Sequence, residues 1–216
     1  MKFKSILLFF ILCVSCKREA SVDKTKTLPF YNSEEFTPEW IHESADAYSE
    51  IHTIADFEFT NQNGQKITNQ NFIGKIYIAD FFFTTCPSIC PILAKNMGSL
   101  QEMYKEDENI LLLSHSVMPW IDSVSKIKEY ALEQKVIDTK WHLVTGERES
   151  IYKIARTSYF ADEDFKKSKD ESEFIHTENF VLVDKKGRIR GVYNGTLALD
   201  VQRLKRHIEI LKNCKK

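Results

Sequence analysis

A chain of 216 residues has room for a short leader and one domain of about 160 to 170 residues. Apolar residues make up 43% and charged residues 28%, the balance of a soluble globular protein with an adequate core. A net charge of −1 provides no field for holding a polyanion, so no nucleic-acid partner is expected.

The first sixteen residues read as an export leader. "MKFKSILLFFILCVSC" carries Lys2 and Lys4, an apolar run from Ile6 to Val14, and then Ser15-Cys16. A charged start, a short apolar stretch and a small residue before the break make a secretory signal. The run is far short of the ~20 residues that a spanning helix needs. A cysteine directly after the small residue is similar to a bacterial lipoprotein signal, with Cys16 acylated as the mature N-terminus. The leucine usual three positions earlier is here Cys13. Residues 1–16 are therefore expected to be a signal peptide with a lipidation cysteine, and 17–49 a tether and N-terminal extension. The domain proper is expected over 50–214, lipid-anchored in the cell envelope and facing the periplasm or another extracytoplasmic space.

Within the extension, Phe30, Tyr31, Phe36 and Trp40 are the side chains able to lie against the domain. "IADFEFTNQNGQKITN" predicts a β-hairpin around Asn63-Gly64. "KIYIADFFF" is apolar at nearly every position, as in a strand buried on both faces. Leu93, Met97, Leu100 and Tyr104 recur at helical spacing, so a helix is predicted from about Pro91 to Lys105. "NILLLSHSV" predicts a second buried strand. "DSVSKIKEYALEQKV" predicts a helix capped by Asp122, with Ile127, Tyr130 and Ala131 facing inward. "WHLVTG" and "ERESIYKIARTSY" give a strand and a helix, and "ADEDFKKSKDESEF" a charged loop. Two strands around Lys186-Gly187 and a final helix, "LDVQRLKRHIEILKN", complete the chain. Strands alternating with helices imply right-handed crossovers and a parallel sheet core. With the closing hairpin and last helix, the predicted class is α/β, thioredoxin-like: a central mixed sheet flanked by helices, with an N-terminal β-hairpin extension.

Outside the cytosol, cysteines can be oxidised and disulfides persist. Setting aside Cys13, Cys16 and the near-terminal Cys214, one pair remains, Cys86 and Cys90, in "FFFTTCPSICP". A bridge between them would close a loop of three residues and remove little unfolded-state entropy, so a purely structural staple is a poor account. A place at a strand end and helix start favours thiolate character. Pro91 disfavours the α conformation at Cys90, so the helix is expected to begin at Pro91, with both sulfurs facing outward from the sheet edge. Such a loop can close as a disulfide or hold an ion. Two thiolates suit a soft ion such as Cu(I), whereas a closed zinc site wants four ligands. A third ligand would be a histidine near the same sheet end. His42 and His52 precede the core, His142 is expected toward the opposite edge, and His207 is expected on the surface of the last helix. His176 leads into "ENFVLVD" and lies beside the cysteine loop if that strand runs antiparallel to "KIYIADFFF". His115 is expected to be a core residue, and Asp80, inside a buried strand, must find a partner or the surface.

"DFFFTTCPSICP", "SVSKIKEYA", "WHLVTGERESIYKIARTSY" and "HTENFVLVDKKGRIRGVYNG" resemble the Sco/SenC family of copper-binding assembly factors, over roughly residues 50 to 213. The resemblance implies a thioredoxin-like, membrane-tethered domain outside the cytoplasm that helps to build the binuclear copper centre of cytochrome c oxidase. It places the copper-binding cysteines on Cys86 and Cys90 and the copper-binding histidine on His176. The partner implied is a copper-receiving oxidase subunit or another copper chaperone. One departure is plain: where the family commonly has a serine-valine-aspartate-proline run, this chain reads "SVMP", with Met118 in place of the acid. The alternatives are a thiol–disulfide oxidoreductase with Cys86 as attacking thiol and, less well fitted, a peroxidase of the same fold.

Overall fold

The computed structural model describes residues 23, 26–162, 175 and 177–213. Cys13, Cys16, His176 and Cys214 lie outside the described residues, as do 163–174 of the charged loop. The strands are β1 (Glu58–Asn61), β2 (Lys66–Thr68), β3 (Ile76–Phe82), β4 (Ile110–Ser116), β5 (Trp141–Thr145), β6 (Asn179–Val183) and β7 (Ile189–Asn194). The α-helices are α1 (Cys90–Tyr104), α2 (Val124–Glu133), α3 (Arg148–Thr157) and α4 (Ala198–Asn213).

All seven residues of β3 and all seven of β4 are buried, as their unbroken apolar runs require of strands covered on both faces. β3, β4 and β5 pair in parallel, and β6 and β7 continue the sheet antiparallel beyond β3. The sheet order is β2-β1-β5-β4-β3-β6-β7, the expected thioredoxin-like α/β arrangement with its added N-terminal hairpin. That hairpin pairs antiparallel with β5. His142 is therefore on an interior strand, not at the opposite edge. The placement depends on a pairing between Thr60 and Thr145, which no local pattern encodes.

The two-residue period of the strands divides the core. Ile76, Ile78, Leu112 and Trp141 face α1, α2 and α4, which supply Leu93, Met97, Ile127, Leu204 and Ile208. Tyr77, Ala79, Phe81, Leu113 and Val144 face α3, with Ile151, Ile154 and Ala155, and the hairpin residues Phe59 and Ile67. The extension covers the exposed edge at β7. Tyr31 donates its N–H to Ile189, while Arg190 stacks over Phe30 at 4.0 Å and donates to the Pro29 carbonyl at 2.9 Å. An edge strand masked in this way has fewer free backbone groups to offer another chain.

β6 runs against β3, pairing Tyr77 with Val183 and Ala79 with Val181. The start of β6 thus lies at the end of β3 from which the cysteine loop departs. The loop after β7 is tied to the same place, because Asn96 on α1 donates to the Gly195 carbonyl at 2.7 Å.

Candidate metal centre

The chain leaves β3 at Phe82 and turns at once: Cys86 donates its N–H to the Phe83 carbonyl. Helix α1 then begins one residue earlier than expected. Cys90 is its first residue, Pro91 occupies the second position, and Ile89 is already in the right-handed α region. Proline is tolerated there because first-turn N–H groups have no intrahelical acceptor.

This start changes where the sulfurs point. Cys86, like Phe83, Ile89 and Tyr130, is half-buried and packed against the core, whereas Cys90 is 4% exposed and part of that core with Phe82, Leu93 and Ala94. The expectation that both sulfurs face outward is therefore corrected: one faces the surface and one the interior. Both are free thiols. Burial by itself would raise the Cys86 thiol, but hydrogen bonds from the Cys90 thiol and from the N–H groups of Cys90, Ser88 and Ile89 outweigh it and bring the group below its usual range. Burial pushes Cys90 up to about 12, helped by its hydrogen bond to Cys86 and the nearby charges of Cys86 and Asp80, against a contribution from the Phe83 amide. The pair therefore consists of an accessible, easily ionised sulfur and a buried partner that holds its proton.

Asp80, on β3, is near enough to Cys90 for its charge to act there. It is 2% exposed, accepts a hydrogen bond from Ser114, and is raised to about 7 by burial, which the Ser114 hydroxyl partly offsets. Trp141 in turn donates its indole N–H to Ser114 at 2.8 Å, so the carboxyl group has a supported partner inside the core. Tyr130 stacks on Phe82 with ring centroids 5.3 Å apart and packs against the core that includes Cys90. Its hydroxyl is raised, first by burial and then by the charges of Asp80 and the two cysteines.

Asp122 is not the cap of α2. Ser123 holds that position and accepts from the Lys126 N–H. The Asp122 carboxylate is fully buried and accepts from the Thr84 hydroxyl at 2.6 Å, the Thr84 N–H at 3.2 Å and the Ser116 hydroxyl at 2.5 Å. Sequence reasoning had no signal for these contacts beyond the two threonines that end the apolar run before Cys86. Met118 is half-buried in the same β4–α2 turn, its N–H donating to Ser116 and its carbonyl accepting from Asp122.

The other histidines lie elsewhere. His115 is fully buried on the opposite face of the sheet, stacked on Phe81 at 5.1 Å and edge-on to Phe59 and Tyr159. Burial holds it down at about 3, against a small opposing pull from the Asp80 backbone, so it is a neutral core residue as expected. His207 is half-buried and bonded to the Tyr193 hydroxyl at 2.7 Å, in place of the surface position expected. Among the described residues, no group of three or more His, Cys, Asp or Glu side chains is arranged to hold a metal. The described part of the site supplies the two sulfurs. Ile175 and Thr177, which flank His176, are buried, and Thr177 accepts from the Asn179 N–H at the start of β6.

Comparison with known proteins gives a consistent result. The family model described as SCO1/SenC matches residues 45–211. The SCO1 protein homolog of Bacillus subtilis (strain 168) is 33% identical over 144 residues, 66% of this chain and 74% of that protein. A SCO1/SenC family lipoprotein from Bacillus anthracis str. Ames has a solved structure that is 28% identical, covers 75% of this chain and 96% of its own, and superposes with a TM-score of 0.65. Bradyrhizobium japonicum ScoI, solved with copper bound, is 25% identical over 72% of this chain and 99% of its own, with a TM-score of 0.55. With the family model matched over more than half of its length, this chain belongs to the SCO1/SenC family.

Proposed function

We propose that this protein is an extracytoplasmic copper carrier that helps to assemble the binuclear copper centre of cytochrome c oxidase. In this reading Cys86 and Cys90 hold the copper as thiolates and His176 supplies an imidazole nitrogen. The observation that carries it is the thiol pair at the carboxyl end of β3, in contact with each other and uncrosslinked. Two soft sulfurs suit Cu(I), and the copper-bound Bradyrhizobium relative has the same fold. β6, which starts three residues beyond His176, begins beside the carboxyl end of β3 that leads to these sulfurs and runs away from it. Cys86 is the sulfur that an incoming partner thiol displaces first, because it is the more accessible. The incoming thiol releases its proton, and the departing Cys86 thiolate takes one up. Lipidation of Cys16 would keep the domain at the envelope membrane, in keeping with the lipoprotein description of the B. anthracis relative. Copper titration of the reduced protein tests the reading: it requires one tightly held copper per chain with sulfur-to-copper charge-transfer absorption. Equal uptake by a Cys86→Ser/Cys90→Ser double variant would refute it.

The unequal thiols favour one second reading, a reductase of partner disulfides. The Cys86 thiolate would attack a partner disulfide and expel one partner thiolate. Cys90 would then lose its proton, attack the Cys86 sulfur and release the second partner thiol, leaving a Cys86–Cys90 disulfide and a partner reduced by two electrons. Turnover of a dithiol-dependent disulfide assay, with copper excluded, separates this activity from delivery.

A further inference from the structure

We infer that Asp122 is a positioning residue for the thiol pair, acting through Thr84. This rests on the reading above that Cys86 and Cys90 act together on metal or on a disulfide. A carboxylate removed from water is expensive unless strong donors replace the water. Asp122 is 0% exposed, and its donors are two hydroxyls and one amide from two other parts of the chain. A buried anion satisfied in this way fixes its donors more firmly than neutral groups would, because charge-assisted hydrogen bonds are shorter and stronger.

The donors are placed where control of Cys86 is needed. Thr84 stands two residues before Cys86, inside the turn that Cys86 closes onto Phe83. Both its amide and its hydroxyl are engaged, so that residue is held at two points. Ser116 is the last residue of β4, paired in register with Phe82, the last residue of β3. Asp122 itself is held by its N–H to the Met118 carbonyl, and Met118 returns its own N–H to Ser116. The carboxylate thus ties the exits of two parallel strands to the turn carrying the accessible thiol. Cys90 needs no such device, since the core fixes it at the start of α1. Only Cys86 hangs on the loop, and metal or disulfide chemistry tolerates about half an ångström of misplacement. Ser123 caps α2, so helix capping does not explain Asp122.

The brace keeps the Cys86 sulfur at a high effective concentration beside Cys90. Loosening it should make both disulfide closure and copper binding less favourable. The test uses the full chain purified in detergent, with Asp122→Asn, Thr84→Val, the double variant, and Ser123→Ala as a control that weakens α2 without touching the brace. For each, urea stability, the thiol–disulfide equilibrium of the metal-free protein and copper affinity are measured. Asp122→Asn and Thr84→Val should each lower the equilibrium constant for disulfide closure about tenfold, a rise in potential of ~30 mV for a two-electron couple, and weaken copper binding about tenfold. The double variant should do little more than either single. Ser123→Ala should lose stability and keep the wild-type potential.

The inference is overturned if Ser123→Ala shifts the potential as far as Asp122→Asn does, or if the two brace substitutions add independently. An unchanged Thr84→Val protein also overturns it, since the effect would then belong to the Asp122 charge and not to positioning. Should Asp122→Asn fail to fold, Thr84→Val alone decides the matter. A wild-type protein that binds no copper would refute the proposed carrier role, while the potentials would still judge the brace.

Discussion

Asp80 accepts a hydrogen bond from Ser114 across the β3–β4 ladder, and both side chains are sealed inside the core on the side that carries Cys90. The relationship has a pH signature. Burial raises Asp80 to about 7 from an ordinary value of 3.8. Below pH ~4 the folded and unfolded chains are both protonated at this residue. As pH rises toward 7 the unfolded chain gives up the proton while the folded one keeps it, so stability falls. Above 7 the cost is constant, on the order of 4 kcal/mol. Asp80→Asn keeps an acceptor for Ser114 and removes the titration. Urea unfolding of the reduced, metal-free protein between pH 4 and 8 should show the variant gaining stability over wild type as pH rises. Parallel curves would contradict the assignment.

The two thiols should differ in reactivity. Cys86 is half-exposed with its thiol below the usual range, and Cys90 is buried and raised to about 12. In the reduced, metal-free protein at pH 7.5, alkylation with iodoacetamide followed by peptide mass spectrometry should label Cys86 at least tenfold faster, because the thiolate is the nucleophile. Its rate should level off at a lower pH than that of an ordinary cysteine. Equal labelling would show that the loop does not hold the geometry described.

Gly195 tests the packing that joins the β7–α4 turn to α1. A Cβ there would come within 2.7 Å of both Leu93 and Phe180, which are 1% and 0% exposed and have no room to retreat. Gly195→Ala should therefore cost about 1–3 kcal/mol as an overpacking change, read as a lower urea midpoint at unchanged slope. A neutral outcome would mean that this turn can move away from α1.

The order and type of the elements were legible because each signal is local: the unbroken apolar runs of β3 and β4, the Asn63-Gly64 turn, and the helical spacing of Leu93, Met97, Leu100 and Tyr104. The cysteine loop was legible as a candidate site because it follows a doubly buried strand. What could not be read depended on distant partners. Asp122 and Ser123 are both good capping residues, and only the arrival of Thr84 and Ser116 assigns the carboxylate elsewhere. The proline rule placed the helix start one residue late and hid the inward turn of Cys90, whose burial is set by packing between Phe82 and Leu93. His142 was assigned to the wrong part of the sheet because the adjacency of strands as far apart in the chain as Thr60 and Thr145 leaves no local trace.

In the proposed copper site one imidazole joins the two sulfurs, and His176→Ala removes it alone. The reduced variant and wild type are titrated with Cu(I) against a competing chelator, with thiol counts taken before and after oxidation. The variant should lose tight copper binding, by at least about a hundredfold in affinity, while Cys86 and Cys90 still close into a disulfide. A variant that holds copper as tightly as wild type would contradict it.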